Sequence, residues 1–128
     1  MTSNAVTDGT SQPITATGPI APSAGLDISG MSGDYMLQID VISLSAAAGT
    51  PKARVIIEDT VNAFTASIPV CELNLIGPIV PSAPITQTWR SDRAPSLRLG
   101  TANAKLRGNV VGLEGTTPSL TLRITICN

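Results

Sequence analysis

The sequence predicts an all-β protein, an antiparallel β-sandwich of about seven or eight strands. Apolar and polar residues alternate with the period of a strand in several segments. Segments rich in glycine and proline separate them, as turns do. Hydrophobic residues make up 42% of the chain and charged residues only 13%, which is typical of a chain that packs a core. No segment has the pattern of an amphipathic helix.

An extended N-terminal arm, residues 1–33, is predicted to precede the sandwich domain, residues 34–128. The arm contains five glycines and three prolines but only two charged residues, and it has no strand or helix periodicity. A fully solvated tail would not favour aliphatic side chains. We therefore expect part of the arm to lie against a neighbouring subunit or a larger surface. The residues expected at this contact are Ile14, Ile20, Leu26 and Ile28.

Period-two alternation predicts the first body strands at residues 35–42 and 53–58. Two further strands are predicted at residues 67–76 and 85–90. The segment at residues 77–84 contains three prolines, which cannot donate to a strand ladder. We therefore expect this segment to cross the surface.

The C-terminal part has the clearest alternation. Residues 120–127 place leucine or isoleucine at every second position, which is the pattern of a half-buried antiparallel strand. Residues 105–113 are predicted to form the strand before it, with Gly108 and Gly112 where a bulge or a close backbone approach is tolerated. A short strand is also predicted at residues 97–99. Together these elements favour a sandwich of the jelly-roll or Ig-like type.

Two segments of the chain share one pattern. Residues 37–44, LQIDVISL, match residues 106–113, LRGNVVGL, at two leucines and one valine. Each segment is followed by a G-T-P or G-T-T-P sequence and then by a second apolar strand. We interpret them as two hairpins of one design, which would give the sandwich an internal pseudo-symmetry. The alternative is that the two hairpins are unrelated and merely have glycine and proline in their turns, as many hairpins do.

The composition excludes many kinds of catalytic site. The chain has no histidine, which removes every site that needs imidazole as a base or a zinc ligand. Cys71 and Cys127 lie far apart without a CxxC motif and are predicted to be unbonded thiols. The carboxylates of Asp40, Glu58 and Asp59 form no calcium-loop motif. We therefore expect no enzyme, no catalytic residue, no metal and no cofactor.

Some partner classes are also disfavoured. A net charge of −1 and only three aromatic residues do not fit a nucleic-acid-binding surface. No segment approaches the roughly 20 apolar residues of a membrane-spanning helix. The first residues lack the basic and apolar regions of a secretory signal, so we expect the chain to fold in a cytoplasm.

A family resemblance rests on four segments. They are SGDY at residues 32–35, LQIDVISLS at 37–45, GTPKARVIIED at 49–59 and GTTPSLTLRITI at 115–126. Over residues 33–127 the chain resembles small β-sandwich virion proteins of tailed bacteriophages, among them head-decoration, cement and other accessory structural subunits. The resemblance implies a non-enzymatic capsid decoration or cement protein in the virion, assembled in the host bacterial cytoplasm. It also implies binding to the major capsid protein or other virion subunits, and it favours a homotrimer.

Charge is distributed unevenly along the chain. Residues 1–74 carry seven acidic and two basic residues, a balance of −5, whereas residues 75–128 carry two acidic and six basic residues, a balance of +4. Such asymmetry fits contacts between unlike patches of neighbouring subunits. We expect Arg90, Arg93 and Arg98 to meet acidic residues of a partner. Trp89 beside them is expected at a core edge or a subunit contact.

Two other functions stay open from the sequence. One is a carbohydrate-binding or adhesin-type β-sandwich, for which Trp89 would be the stacking ring. The other is a neck or tail structural subunit of the phage particle. The chain has only one tryptophan and one tyrosine, which is few for sugar recognition.

Overall fold

A computed structural model describes residues 3–5, 13–20, 25–27, 36–59, 68–90 and 105–127 of the 128-residue chain. In these residues the secondary structure is entirely β. The strands are β1 (Ser3–Ala5), β2 (Gly18–Pro19), β3 (Leu26–Asp27), β4 (Met36–Ser45), β5 (Ala48–Asp59), β6 (Ile68–Ile76), β7 (Ile85–Arg90), β8 (Lys105–Thr116) and β9 (Ser119–Cys127). They form two antiparallel sheets, which confirms the predicted β-sandwich.

The core of the sandwich is aliphatic. Sheet A has the strand order β1-β9-β4-β7, and sheet B has the order β2-β8-β5-β6 with β3 also paired to β8. Burial of a leucine or isoleucine side chain contributes about 1.5–3 kcal/mol, so these residues supply the main driving force for folding. The largest fully buried side chains are Leu37, Ile39, Val41, Leu44, Ile57, Leu73, Leu106, Leu120, Leu122, Ile124 and Ile126.

Four strands form a single folded ribbon. Residues 36–59 pair with residues 105–127 in antiparallel register, from Met36 opposite Cys127 to Asp59 opposite Leu106. The ribbon bends between β4 and β5 and between β8 and β9, so that one half lies in sheet A and the other in sheet B. The predicted hairpins are therefore corners between sheets. An isolated hairpin leaves its apolar face in water, whereas the folded ribbon buries that face in both halves.

The two corners contact each other. The backbone N–H of Ala47 donates to the carbonyl of Thr116 at 2.8 Å. Gly115 has a φ of 115° in this corner, and a Cβ placed on it would lie 2.7 Å from the Cβ of Ala46. Only glycine combines that backbone conformation with so close an approach.

The pairing of the ribbon agrees with the repeated pattern in the sequence. β4 pairs with β9, and β8 pairs with β5. Exchanging β4 with β8 and β5 with β9 therefore maps one pairing onto the other. The topology has the internal pseudo-symmetry that the matching segments predicted. This symmetry relates the corner between β4 and β5 to the corner between β8 and β9, and it does not relate two hairpins.

Several predicted boundaries agree with the structure. β7 has the predicted bounds, and the other main strands differ mainly by extending into the turns. Residues 77–84 connect sheet B to sheet A as a surface crossing, but Ile79 within them is buried and exchanges two backbone hydrogen bonds of 2.9 Å with Leu44. The register of β5 on β8 shifts beside Gly112, at the predicted bulge. The predicted strand at residues 97–99 lies outside the described residues.

Candidate assembly surfaces

Parts of the N-terminal arm lie on the chain's own sandwich. β1 pairs with β9, and both β2 and β3 pair with β8. Ile20 is 5% exposed within the core, and its N–H donates to the carbonyl of Gly108 at 2.8 Å. Ile14 is half-buried against the same core and exchanges hydrogen bonds of 2.7 and 2.9 Å with Leu120. Because the chain's own core covers Ile20, that side chain has little surface left for the neighbouring subunit we expected it to contact.

Gly108 makes room for the arm. A Cβ on this residue would lie 2.6 Å from Cδ1 of Ile124 and 2.8 Å from Cδ1 of Ile20. The missing side chain therefore creates the space that Ile20 fills. The sequence predicts a bulge or a close backbone approach at Gly108, and the atoms that approach it most closely belong to side chains. Sequence reasoning missed the identity of the approaching residue, because nothing in the local pattern links positions 20 and 108.

The remaining predicted contact residues have different positions. Leu26 pairs through its backbone with Leu106, and Arg90 pairs with Met36. Trp89 lies opposite Leu37 on β4 and packs, partly buried, against the core. This position is the core edge that was one of its two predicted roles. The residues Ile28, Arg93 and Arg98 lie outside the described part of the chain.

Opposite charges lie on neighbouring strands of the ribbon. Residues 36–59 carry three acidic and two basic residues, and residues 105–127, with which they pair, carry three basic residues and one acidic residue. The register places opposite one another Asp40 and Arg123, Glu58 and Arg107, and Lys52 and Glu114. Unlike charges on adjacent strands stabilise the pairing of the chain with itself.

Glu58 forms a buried ion pair on the β8 side of sheet B. Its side chain is 5% exposed and accepts hydrogen bonds from Nε of Arg107 at 3.1 Å and from Nδ2 of Asn109 at 3.3 Å. The sequence shows of Glu58 only that it belongs to no calcium-loop motif, and it indicates no partner for this carboxylate. The structure gives it donors from the adjacent strand, which a buried carboxylate requires. The signal that would have found this pair is the register of β5 on β8.

An exposed ion pair occupies the β6 side of the same sheet. Arg54 donates from Nε to Oε1 of Glu72 at 2.6 Å and from Nη2 to Oε2 of Glu72 at 3.0 Å. The hydrogen bonds from Arg54, with a further one from Asn74, lower the pKa of Glu72 below its ordinary value. The hydrogen bond to Glu72 likewise raises the pKa of Arg54. Both side chains face solvent, so this pair contributes little to stability.

An open groove of about 440 Å³ runs across the outer face of sheet B. Two aliphatic side chains in its lining are unusually exposed, Ile76 at 71% and Val111 at 40%. Lys52 and Glu114 lie on neighbouring strands of the groove. A mixed apolar and charged surface of this kind is typical of protein contacts rather than of enclosed ligand sites.

The other polar groups considered from the sequence have structural partners. Asp40 accepts hydrogen bonds from Oγ1 of Thr86 at 2.7 Å and from Nε2 of Gln38 at 3.1 Å. Burial raises the pKa of the free thiol of Cys71 to about 12, which keeps it protonated and unreactive at neutral pH. Cys71 lies on β6 in sheet B, whereas Cys127 lies on β9 in sheet A. In the described segments no group of three or more potential metal ligands comes together.

Among the described residues there is no helix with the length and apolar character to cross a membrane. No protein-family model, curated protein or solved structure matches this chain.

Proposed function

We propose that the chain is a non-enzymatic structural protein of a tailed-bacteriophage particle, a capsid decoration or cement protein. The observation that carries the proposal is the outer groove of sheet B, in which Ile76 and Val111 expose aliphatic surface. The side chain of Ile76 is 71% exposed, and covering it with a partner removes apolar surface from water, which stabilises the complex. The resemblance of residues 33–127 to virion proteins supports the same role.

The mechanism is adhesion between neighbouring subunits of the shell. The groove binds the major capsid protein or another virion subunit, and Ile76 and Val111 lose their contact with water. Lys52 and Glu114 at the groove set the orientation of the partner through charge, which affects specificity more than affinity. A ligand that binds only the assembled shell stabilises that shell in proportion to its occupancy. As a homotrimer the chain would bind three sites at once and gain avidity.

Electron cryomicroscopy of purified particles of the phage that encodes the chain tests this role. We expect ordered copies on the outer surface of the head, with the groove of sheet B against the shell. The chain would be assembled onto the particle in the host bacterial cytoplasm. Copies confined to the neck or tail would replace this proposal with the alternative structural role, and particles without the chain would exclude both.

A binding experiment tests the groove itself. Capsids that lack the protein are mixed with the purified chain and sedimented. We expect Ile76→Asp to weaken binding by about tenfold or more, because it places a charge in a desolvated contact. Val80→Asp is the matched control, since Val80 is also exposed, at 48%, but lies outside the groove lining. Equal effects of the two substitutions would show that the groove is not the contact.

The carbohydrate-binding alternative has no specific support among the described residues. Its candidate ring, Trp89, packs against the core of the sandwich. Sugar recognition by stacking needs an aromatic face open to the ligand. A glycan-array response that is lost in Trp89→Ala would favour this alternative over the capsid role.

A further inference from the structure

β7 is the last strand of sheet A that the structure describes on its side. Among the described residues it pairs only with β4, and an edge strand of this kind can pair with a further strand. The side chains from Ile85 to Thr88 are exposed, and Trp89 is half-buried. An exposed edge of this kind is a template for pairing with another chain.

β7 carries few of the features that protect edge strands: it is short, and its one charged residue, Arg90, lies at its end. Such strands usually carry lysine, proline, a bulge or an inward-pointing charge. Residues 85–89 of β7 contain no charge and no proline, and their register on β4 is continuous. β6, the edge of the other sheet on this side, does carry Pro69, Glu72 and a register shift. Residues 85–89 of β7 are therefore less protected than β6.

The side chains of β7 are self-complementary about Gln87. In an antiparallel pair of two β7 strands with a two-fold axis at Gln87, Ile85 of one copy lies opposite Trp89 of the other. Thr86 lies opposite Thr88, and Gln87 lies opposite itself. Aromatic with β-branched pairs and threonine pairs are among the favourable cross-strand combinations. The pattern also places no like charges opposite each other between residues 85 and 89.

A second strand would also cover apolar surface that the fold leaves open. Ile85, Gln87 and Trp89 lie opposite Val41, Ile39 and Leu37, whose side chains are buried in the core. The face of β7 that they share is therefore turned toward the core, yet Ile85 is 38% exposed. In the pair, Trp89 of the other copy is half-buried in its own sandwich and would contact this exposed isoleucine with the part of its side chain that the core leaves open.

We propose that β7 is a contact between two copies of this chain, paired antiparallel about a two-fold axis at Gln87. The pairing joins two four-stranded A sheets into one continuous sheet. One strand pair is a small interface, so the dimer is concentration-dependent. The proposal does not rest on the capsid role, because β7 lies outside the groove of sheet B. A two-fold contact at β7 also leaves the other surfaces for the contacts of a trimer.

Charged substitutions of Gln87, the residue on the two-fold axis, provide the first test. Sedimentation of the full chain over a range of concentrations is expected to show self-association. Gln87→Lys and Gln87→Glu each place like charges opposite one another, and we expect each to raise the dissociation constant of the contact by about tenfold or more at low salt. An equimolar mixture of the two variants is expected to recover pairing. Ser82→Lys in the exposed loop is the control and is expected to change nothing.

A disulfide across the axis provides the second test. In a Cys71→Ser, Cys127→Ser background, oxidation of Gln87→Cys is expected to give disulfide-linked dimers, because directly opposed cross-strand positions satisfy disulfide distances. Ser82→Cys is expected to give few. A chain that stays monomeric at every concentration overturns the proposal, and so does association that is insensitive to both charges at residue 87. Failure of the mixture to recover pairing would also overturn it.

Discussion

The two sides of the sandwich end in different ways. Beside β8 and β9, segments of the N-terminal arm add β1, β2 and β3, and Ile20 fills the space left by Gly108. Beside β5 and β4, β6 and β7 are the last strands that the structure describes, and Ile76 and Ile85 remain exposed. The comparison teaches that the chain covers one side with its own arm. We propose that partner chains cover the other side.

The same difference appears in the two ion pairs of sheet B. The Glu58–Arg107 pair on the arm side is nearly excluded from water, whereas the Arg54–Glu72 pair on the open side faces solvent. When an ion pair loses one partner, water can hydrate the remaining charge if it is exposed, but not if it is buried. Stability should therefore depend on the arm side, and association on the open side.

The largest expected effect separates these two ion pairs. We expect Arg107→Ala to lower the free energy of unfolding by about 3 kcal/mol, because it leaves the buried carboxylate of Glu58 with a single weak donor. Arg54→Ala is the matched control on the same sheet and is expected to change stability little. Urea unfolding followed by circular dichroism measures both. Equal losses would show that the two sides of the sheet do not differ in this way.

The arm contact gives the next effect. We expect Ile20→Ala to lower the free energy of unfolding by about 2 kcal/mol, because it empties a filled core position. The same substitution should increase thermolysin cleavage in residues 1–33 at native conditions. Ile85→Ala on the open side, where the side chain is 38% exposed, is expected to cost less than Ile20→Ala. Unchanged cleavage in Ile20→Ala would mean that this residue does not hold the arm.

A smaller effect is expected from the glycine beneath the arm. Gly108→Ala should destabilise the fold by about 1 kcal/mol, since the new methyl group presses on Ile20 and Ile124. Gly112→Ala is the control, because a Cβ there would lie 3.4 Å from that of Arg54, an acceptable contact. Adding Ile20→Val to Gly108→Ala should recover part of the loss, because the two positions share one space. If the losses of unfolding free energy in the double variant were additive, the two positions would be energetically independent.

The smallest effect concerns Cys71 on the open side. Its thiol has a pKa of about 12 in the fold against 9.0 in the reference state. Stability from the protonated thiol is fully present below pH 9.0 and is lost as pH rises from there toward 12, because the unfolded chain ionises first. In a Cys127→Ser background we therefore expect iodoacetamide to react with Cys71 at least tenfold more slowly in the folded chain than in urea at pH 8. Equal rates would contradict this burial of the thiol.

Much of the fold is predictable from local patterns. Period-two alternation predicts β4, β5 and β9, because each of these strands has one buried face. The predicted bounds of β7 also agree with the structure. The glycine at position 108 indicates a close approach, and the repeat of residues 37–44 at 106–113 indicates pseudo-symmetry. The outer groove and the edge of β7 could not be predicted in this way. Their exposure depends on which strands lie beside them, and strand order is not a local property.

By itself the sequence determined the class of the fold and its aliphatic core. Strand alternation is a property of each segment, and the scarcity of aromatic and charged residues is a property of the composition, so neither depends on how the strands meet. Only the tertiary structure decided how the strands meet. It made the two expected hairpins into corners between the sheets, placed Ile20 in the chain's own core, and brought opposite charges together on adjacent strands of the ribbon. These outcomes depend on contacts between residues distant in sequence, which form where pairing and burial are satisfied over the whole chain.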